Sequence, residues 1–147
     1  MSESGDHRIL VHALAREISG DAIWTKPPII YCDVQEGAIA VGAPQIIGSS
    51  RPDVFARDIG ASLSVIGEAK TSKDIDNRHT FDQLESFFSY LREQPKAEVW
   101  MGVPWLSAGT ATRVCVHARR KSDAIHVRIR VVAYMIGNTS QRRVWFE

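Results

Sequence analysis

Two carboxylates and one ammonium stand in the short segments Pro52-Asp53 and Glu68-Ala69-Lys70. Brought together, such groups can hold a hard divalent cation against a phosphodiester. Magnesium takes oxygen ligands, often only one or two carboxylates, and completes its shell with water and substrate phosphate. The intervening sequence favours a meeting. Residues 53–58 (DVFARD) and 63–70 (LSVIGEAK) read as strands. Gly60-Ala61 reads as a two-residue hairpin loop, because glycine is favoured at the first central position. That loop sets Asp53 directly opposite Glu68, where like charges are destabilising. A bound cation would offset this cost. Strand alternation puts Lys70 on the face of Glu68. Asp53, Glu68 and the Ala69 carbonyl are the expected metal ligands, and Lys70 is the group expected to orient a water or stabilise developing charge.

Several elements must position these groups. Residues 7–18 carry Ile9, Leu10, Ala13, Leu14 and Ile18 at helical spacing, and Gly20 follows as a stop. Pro27-Pro28 introduces an extended segment at 29–34, with Glu36-Gly37 as a turn before a strand at 38–41. After the polar stretch TSKDIDNRH, Thr80 and Gln83 form a capping box for a helix whose stripe is Leu84, Phe87, Phe88 and Leu91. Residues 97–103 read as a buried strand, and 106–121 fit either loop or helix. Residues 125–134 alternate, with Ile125, Val127, Ile129 and Val131 on one face and His126, Arg128 and Arg130 on the other. The expected fold is α/β, one domain over residues 1–147.

The composition, 44% hydrophobic and 24% charged, is that of a globular protein. No apolar run approaches the roughly 20 residues that span a bilayer, and MSESGDHR lacks a signal-peptide pattern. Cys32 and Cys115 lack CxxC spacing, so a reducing, cytoplasmic setting is expected. The net charge of +1 conceals an asymmetry: residues 111–147 hold eight Lys/Arg against two acidic residues, and 1–110 hold ten against fifteen. A basic C-terminal part beside an acidic centre suits a phosphate-binding surface next to a metal site. Lys73, Arg78 and His79 near the proposed site, and Arg128 and Arg130 on the basic strand, are the candidate backbone contacts. His7 and His12, five apart on one helix, fall on different faces and suggest no metal constellation. Trp105 and Trp145 are the tryptophans to watch as interface residues.

Pro52-Asp53 with Glu68-Ala69-Lys70, between a first helix and an amphipathic second one, resembles the PD-(D/E)xK nuclease superfamily over residues 8–105. The resemblance implies a restriction-endonuclease-like core, a mixed central sheet flanked by helices. It implies Mg²⁺ or Mn²⁺ held by Asp53 and Glu68, with Lys70 as the catalytic lysine. Glu17 matches a glutamate that many members carry on the first helix. Gln83 with Phe87 is similar to a glutamine–aromatic pair found in several branches, where a tyrosine is more usual than Phe87. DNA is the implied substrate, in structure-selective or defence-related cleavage, by a homodimer or with a protein partner supplying specificity. The alternative is a catalytically inactive nucleic-acid- or protein-binding module on the same fold. A degenerate copy usually drops one of the three motif residues, and all three are present here.

Overall fold

The computed structural model describes residues 5–33 and 40–147. The N-terminal apolar stripe forms α1 (Gly5–Ser19), turned slightly from the expected face: Leu10, Val11, Leu14, Ala15 and Ile18 are buried, whereas Ile9 is exposed. Then come β1 (Ile29–Cys32), β2 (Val54–Arg57), β3 (Leu63–Ala69), a 3₁₀ turn (Ser72–Asp74), α2 (Arg78–Arg92) and β4 (Lys96–Pro104). A second 3₁₀ turn (Trp105–Ser107), α3 (Ala108–Lys121), β5 (Arg128–Met135) and β6 (Asn138–Phe146) complete the order. The Glu36-Gly37 turn lies outside the described residues, as does the start of the 38–41 strand. Val41 is described, and its N–H donates to the Ile30 carbonyl (2.9 Å).

The six strands form one mixed sheet in sequence order. β3, β4 and β5 run parallel, joined through α2 and α3, and the other neighbours are antiparallel. Leu10, Leu14 and Ile18 of α1 pack with Val54, Val65 and Trp100 on one face. Leu84, Phe87 and Phe88 of α2 and Val114 and Cys115 of α3 pack with Ile66, Val99 and Ile129 on the other. Burial pushes the Cys115 thiol up to about 12, which makes it an inert core residue. Among the described residues, no helix is long and apolar enough to cross a membrane.

The β2–β3 register is the one the sequence predicts, Val54 opposite Gly67 and Phe55 opposite Ile66. The loop that sets it differs. Ala61 N–H donates to the Asp58 carbonyl (3.0 Å), and Ala61, not Gly60, takes the left-handed conformation (φ 54). The Asp58 carboxylate accepts from Ser62 N–H (2.7 Å), Leu63 N–H (3.2 Å) and the Ser62 hydroxyl. The loop is therefore longer than two residues, closed by a side chain, and still symmetric about the same centre. This symmetry preserves the register.

Two further expectations are corrected and one open reading is resolved. The cap of α2 is Asn77, whose side chain accepts from Thr80 N–H (2.8 Å), while the Thr80 hydroxyl turns to the Asp74 carbonyl. No capping box forms, and Gln83 is released for another partner. Ile125 is exposed because residues 124–127 form a turn, closed by Val127 N–H on the Ala124 carbonyl (3.0 Å), ahead of β5. The 106–121 segment, open between loop and helix, ends the second 3₁₀ turn and then forms α3, buried through Ala108, Ala111, Val114, Cys115 and Ala118. Strand β6 has no counterpart in the sequence reading.

Gly67 fixes how closely α1 approaches the sheet. A Cβ there would lie 2.8 Å from Ile18 Cδ1 and 3.2 Å from Val54 Cβ. Gly67→Ala is expected to destabilise the fold by about 1–3 kcal/mol through overpacking, read as a lower urea midpoint at unchanged m-value.

Candidate active site

Asp53 sits just ahead of β2, and its carbonyl accepts the Asp33 N–H (3.0 Å), which extends the β1–β2 ladder. Beyond the Val54–Gly67 pair, side chains carry the β2–β3 ladder onward. Asp53 N–H donates to Glu68 Oε1 (3.0 Å), and Ala69 N–H donates to Asp53 Oδ2 (2.8 Å). Each carboxylate is thus held by the other strand's backbone. Both are buried, Asp53 at 8% and Glu68 at 2% exposure.

Lys70 continues β3 onto the same end of the sheet, with its own N–H on the Gly102 carbonyl of β4 (3.0 Å). Its ammonium lies 3.4 Å from Glu68 Oε2 and donates to Gln83 Oε1 of α2 (2.6 Å). Asp53, Glu68, Lys70 and Gln83 therefore form one connected cluster where β3 meets α2. This is the carboxyl end of the parallel strands, where open α/β sheets bind ligands.

Burying two carboxylates with one lysine is electrostatically expensive. Burial, and next the neighbouring Asp53, raise the Glu68 carboxyl well above its ordinary value of 4.5, with Lys70 opposing. A divalent cation would remove this imbalance. The donors fit a hard ion: two carboxylates and, beside them, the Ala69 carbonyl. Among the described residues no group of three or more His, Cys, Asp or Glu side chains forms a metal centre. Two carboxylates and one carbonyl would leave positions in the shell of a hard cation for water or substrate oxygens.

Glu17 is not part of this cluster. It pairs with Arg142 of β6 (Glu17 Oε1 to Nε, 2.6 Å) and accepts from the Tyr134 hydroxyl (3.5 Å). The α1 residue that reaches the carboxylates is His7, with Nε2 3.4 Å from Asp53 Oδ2. His7 and Glu17 lie ten residues apart, roughly 15 Å along a helix. A signal for His7 was present: it lies on the line of Leu10, Leu14 and Ile18, the face that packs on the sheet.

The candidate nucleic-acid contacts divide into two groups. Lys73, in the 3₁₀ turn after Lys70, and Arg78 and His79, in the first turn of α2, are exposed near the cluster. Arg78 pairs loosely with Asp82 (3.2 Å). Arg128 and Arg130 lie elsewhere. They pair in register with Glu98 and Trp100, whereas Glu68 is level with Met101 and Val131 and Ala69 with Gly102 and Val132, one to two residues beyond Arg130 and three to four beyond Arg128. Arg130 is also committed internally, to Asp21 (2.7 Å) and Glu98 (3.4 Å), with its guanidinium 3.9 Å from the Trp100 ring centroid. Trp105 is half-buried, with Arg143 stacked on its ring at 4.7 Å.

No protein-family model and no curated protein matches the chain. Among solved structures, it is similar to Pyrococcus furiosus SfsA in complex with Ca²⁺, at 12% identity and a TM-score of 0.42, over 70% of this chain and 50% of that one. The chain spans half the length of SfsA, and a likeness of this size carries no argument about the present chain.

Proposed function

We propose that this chain is a metal-dependent nuclease of the restriction-endonuclease-like type, hydrolysing phosphodiester bonds in DNA. The observation that carries the reading is the buried Asp53–Glu68 pair, braced across two strands by main-chain donors, with the Lys70 ammonium 3.4 Å from Glu68. Asp53, Glu68 and the Ala69 carbonyl would hold Mg²⁺ or Mn²⁺. A bound ion of this kind polarises a phosphoryl oxygen and lowers the pKa of its water.

The remaining steps belong to the protein. The Ala69 N–H fixes the orientation of Asp53, and the Asp53 N–H fixes that of Glu68, so neither carboxylate must reorganise as substrate arrives. Gln83 holds Lys70 beside the pair, where the ammonium can stabilise charge gathering on the phosphoryl oxygens. Lys73, Arg78 and His79 would contact the sugar-phosphate backbone, which positions a strand without reading its bases. A protein partner could supply sequence or structural specificity.

The test is cleavage of plasmid, single-stranded and branched DNA with Mn²⁺, with and without chelator, by wild type and Asp53→Ala. Metal-dependent cleavage by wild type alone is expected. Binding without cleavage on every substrate would favour a non-catalytic DNA-binding module instead. A second measurement concerns His7, which steadies Asp53 from α1. His7→Ala is expected to weaken Mn²⁺ binding about 10–100-fold, the usual effect of losing an outer-shell partner. An unchanged Kd by calorimetry would remove His7 from the site.

A further inference from the structure

Helices α2 and α3 lie side by side on one face of the sheet, and a groove of about 820 Å³ opens between the start of α2 and the middle of α3. Its floor is apolar. Phe81 of α2 and Val116 of α3 are half-buried and pack on the core beneath. Against Phe81 lies the His117 ring, with centroids 4.8 Å apart and planes tilted by 32°. His117 is exposed, so the ring pair reaches from the core to solvent.

The rim of the groove is cationic. Arg113, His117 and Arg120 recur at i, i+4 and i+7 on one face of α3, and Arg78 lines the groove from the first turn of α2. Against these three arginines the lining holds one acid, Asp76. Asp76 pairs with Arg113 at 2.8 Å, but the two side chains are 62% and 64% exposed. The Arg78–Asp82 pair is as open to water. Exposed pairs of this kind hold weakly, so a phosphate can take the place of the carboxylate.

Cations interleaved with rings along a groove are the arrangement that binds single-stranded nucleic acid. The backbone follows the charges, and bases stack on the rings whatever their sequence. A duplex cannot use the rings, because its bases are stacked on one another; an unpaired base can be splayed out onto them. We infer that this groove holds a single-stranded segment flanking the scissile bond, with a base stacked on the Phe81–His117 pair and phosphates on Arg78, Arg113 and Arg120. The choice of a nucleic acid over an acidic peptide rests on the nuclease reading of the cluster.

The position of the groove suits this role. Gln83, which anchors Lys70, lies on the same helix as Arg78, five residues or roughly 8 Å further along its axis. A strand leaving the cluster over the start of α2 passes Arg78 and enters the groove. Arg113 and Arg120 stand roughly 10 Å apart along α3 with His117 between them, which sets the stacked base between two phosphate contacts. A substrate with an unpaired flank, as at a flap or branch, then gains contacts that a blunt duplex lacks. The domain would prefer such structures without reading any base.

Fluorescence anisotropy of a short labelled oligothymidine, with chelator present, tests the groove whatever the cluster does with a cation. His117→Ala is expected to weaken binding about 5–150-fold, the loss of one stacked base. Replacing Arg113 and Arg120 together by alanine is expected to flatten the slope of log K against log salt by about 1.4, at about 0.7 for each lost phosphate contact. Lys96→Ala, at the opposite end of β4 from the cluster, is expected to bind as wild type does. Wild-type affinity and salt slope in the groove variants, or an equal loss in Lys96→Ala, would overturn the inference. So would a blunt duplex bound as tightly as the single strand, or polyglutamate competing as well as unlabelled oligothymidine. Metal-dependent cleavage by wild type, with groove variants that still bind as wild type does, would leave the nuclease reading standing and remove this one.

Discussion

Lys70→Met is expected to lower the rate of phosphodiester hydrolysis about 10²–10³-fold, equivalent to about 2.7–4 kcal/mol of transition-state stabilisation. Methionine keeps an unbranched side chain of similar length and removes the ammonium. The charge it loses sits 3.4 Å from Glu68 and is anchored by Gln83 at 2.6 Å. Such preorganisation is effective because the donor need not move when charge develops. Cation affinity is expected to change much less, since the oxygen donors remain. Single-turnover rates at saturating Mn²⁺, alongside calorimetric Kd values, separate the two effects. Unchanged turnover with altered stability would make Lys70 a structural counter-ion to Glu68 and no more.

Glu68 governs the second large effect, on stability. Burial first, and Asp53 next, raise its folded-state carboxyl above 4.5, so the folded chain binds a proton more tightly than the unfolded chain does. The stabilisation linked to this group is complete below the unfolded value and is lost as pH rises through the folded one. Without divalent cation, the melting temperature should therefore fall as pH increases from 4.5 upward. Glu68→Gln should remove that slope and melt at or above wild type at pH 8. Mn²⁺ should then rescue wild type and not the variant. At a hundred times Kd a bound ligand adds about 2.7 kcal/mol, or ~5–10 °C at the 2–4 °C per kcal/mol typical of domains near this size. Differential scanning calorimetry with and without chelator reads all four combinations. A wild-type melt that is flat with pH and indifferent to Mn²⁺ would contradict the electrostatic description of the cluster.

The central hairpin was legible because its information is local and redundant. Polar Asp58 and Ser62 bound the loop, apolar residues fill both strands, and the centre of the loop sets the register. The loop type is less legible: a Gly-Ala pair suggests a two-residue turn, whereas the Asp58 carboxylate closes a longer one and Ala61 accepts the positive φ. The role of Gln83 was obscured by Thr80. The sequence pattern of a capping box was present, but Asn77 captured the Thr80 N–H one turn earlier.

Long-range pairings left weaker traces. Glu17 and His7 both lie on α1, and which of them reaches Asp53 depends on where the helix crosses the sheet. Gly67 sets that crossing by admitting Leu14 and Ile18. Arg130 looked like an outward-facing cation because the alternation of β5 was visible while its partners Asp21 and Glu98, far away in sequence, were not. β6 carries almost no burial pattern, and an edge strand held by main-chain bonds to β5 requires none. Its role is visible only once β5 has a free side.

Titration of Mn²⁺ into wild type and Asp53→Ala, followed by isothermal calorimetry at one neutral pH, tests the central claim most directly. The expected result is a single saturable site in wild type that disappears in Asp53→Ala, with both proteins folded by circular dichroism. Identical isotherms for the two proteins would contradict it, because the Asp53–Glu68 pair would then be a buried structural contact and not a cation site.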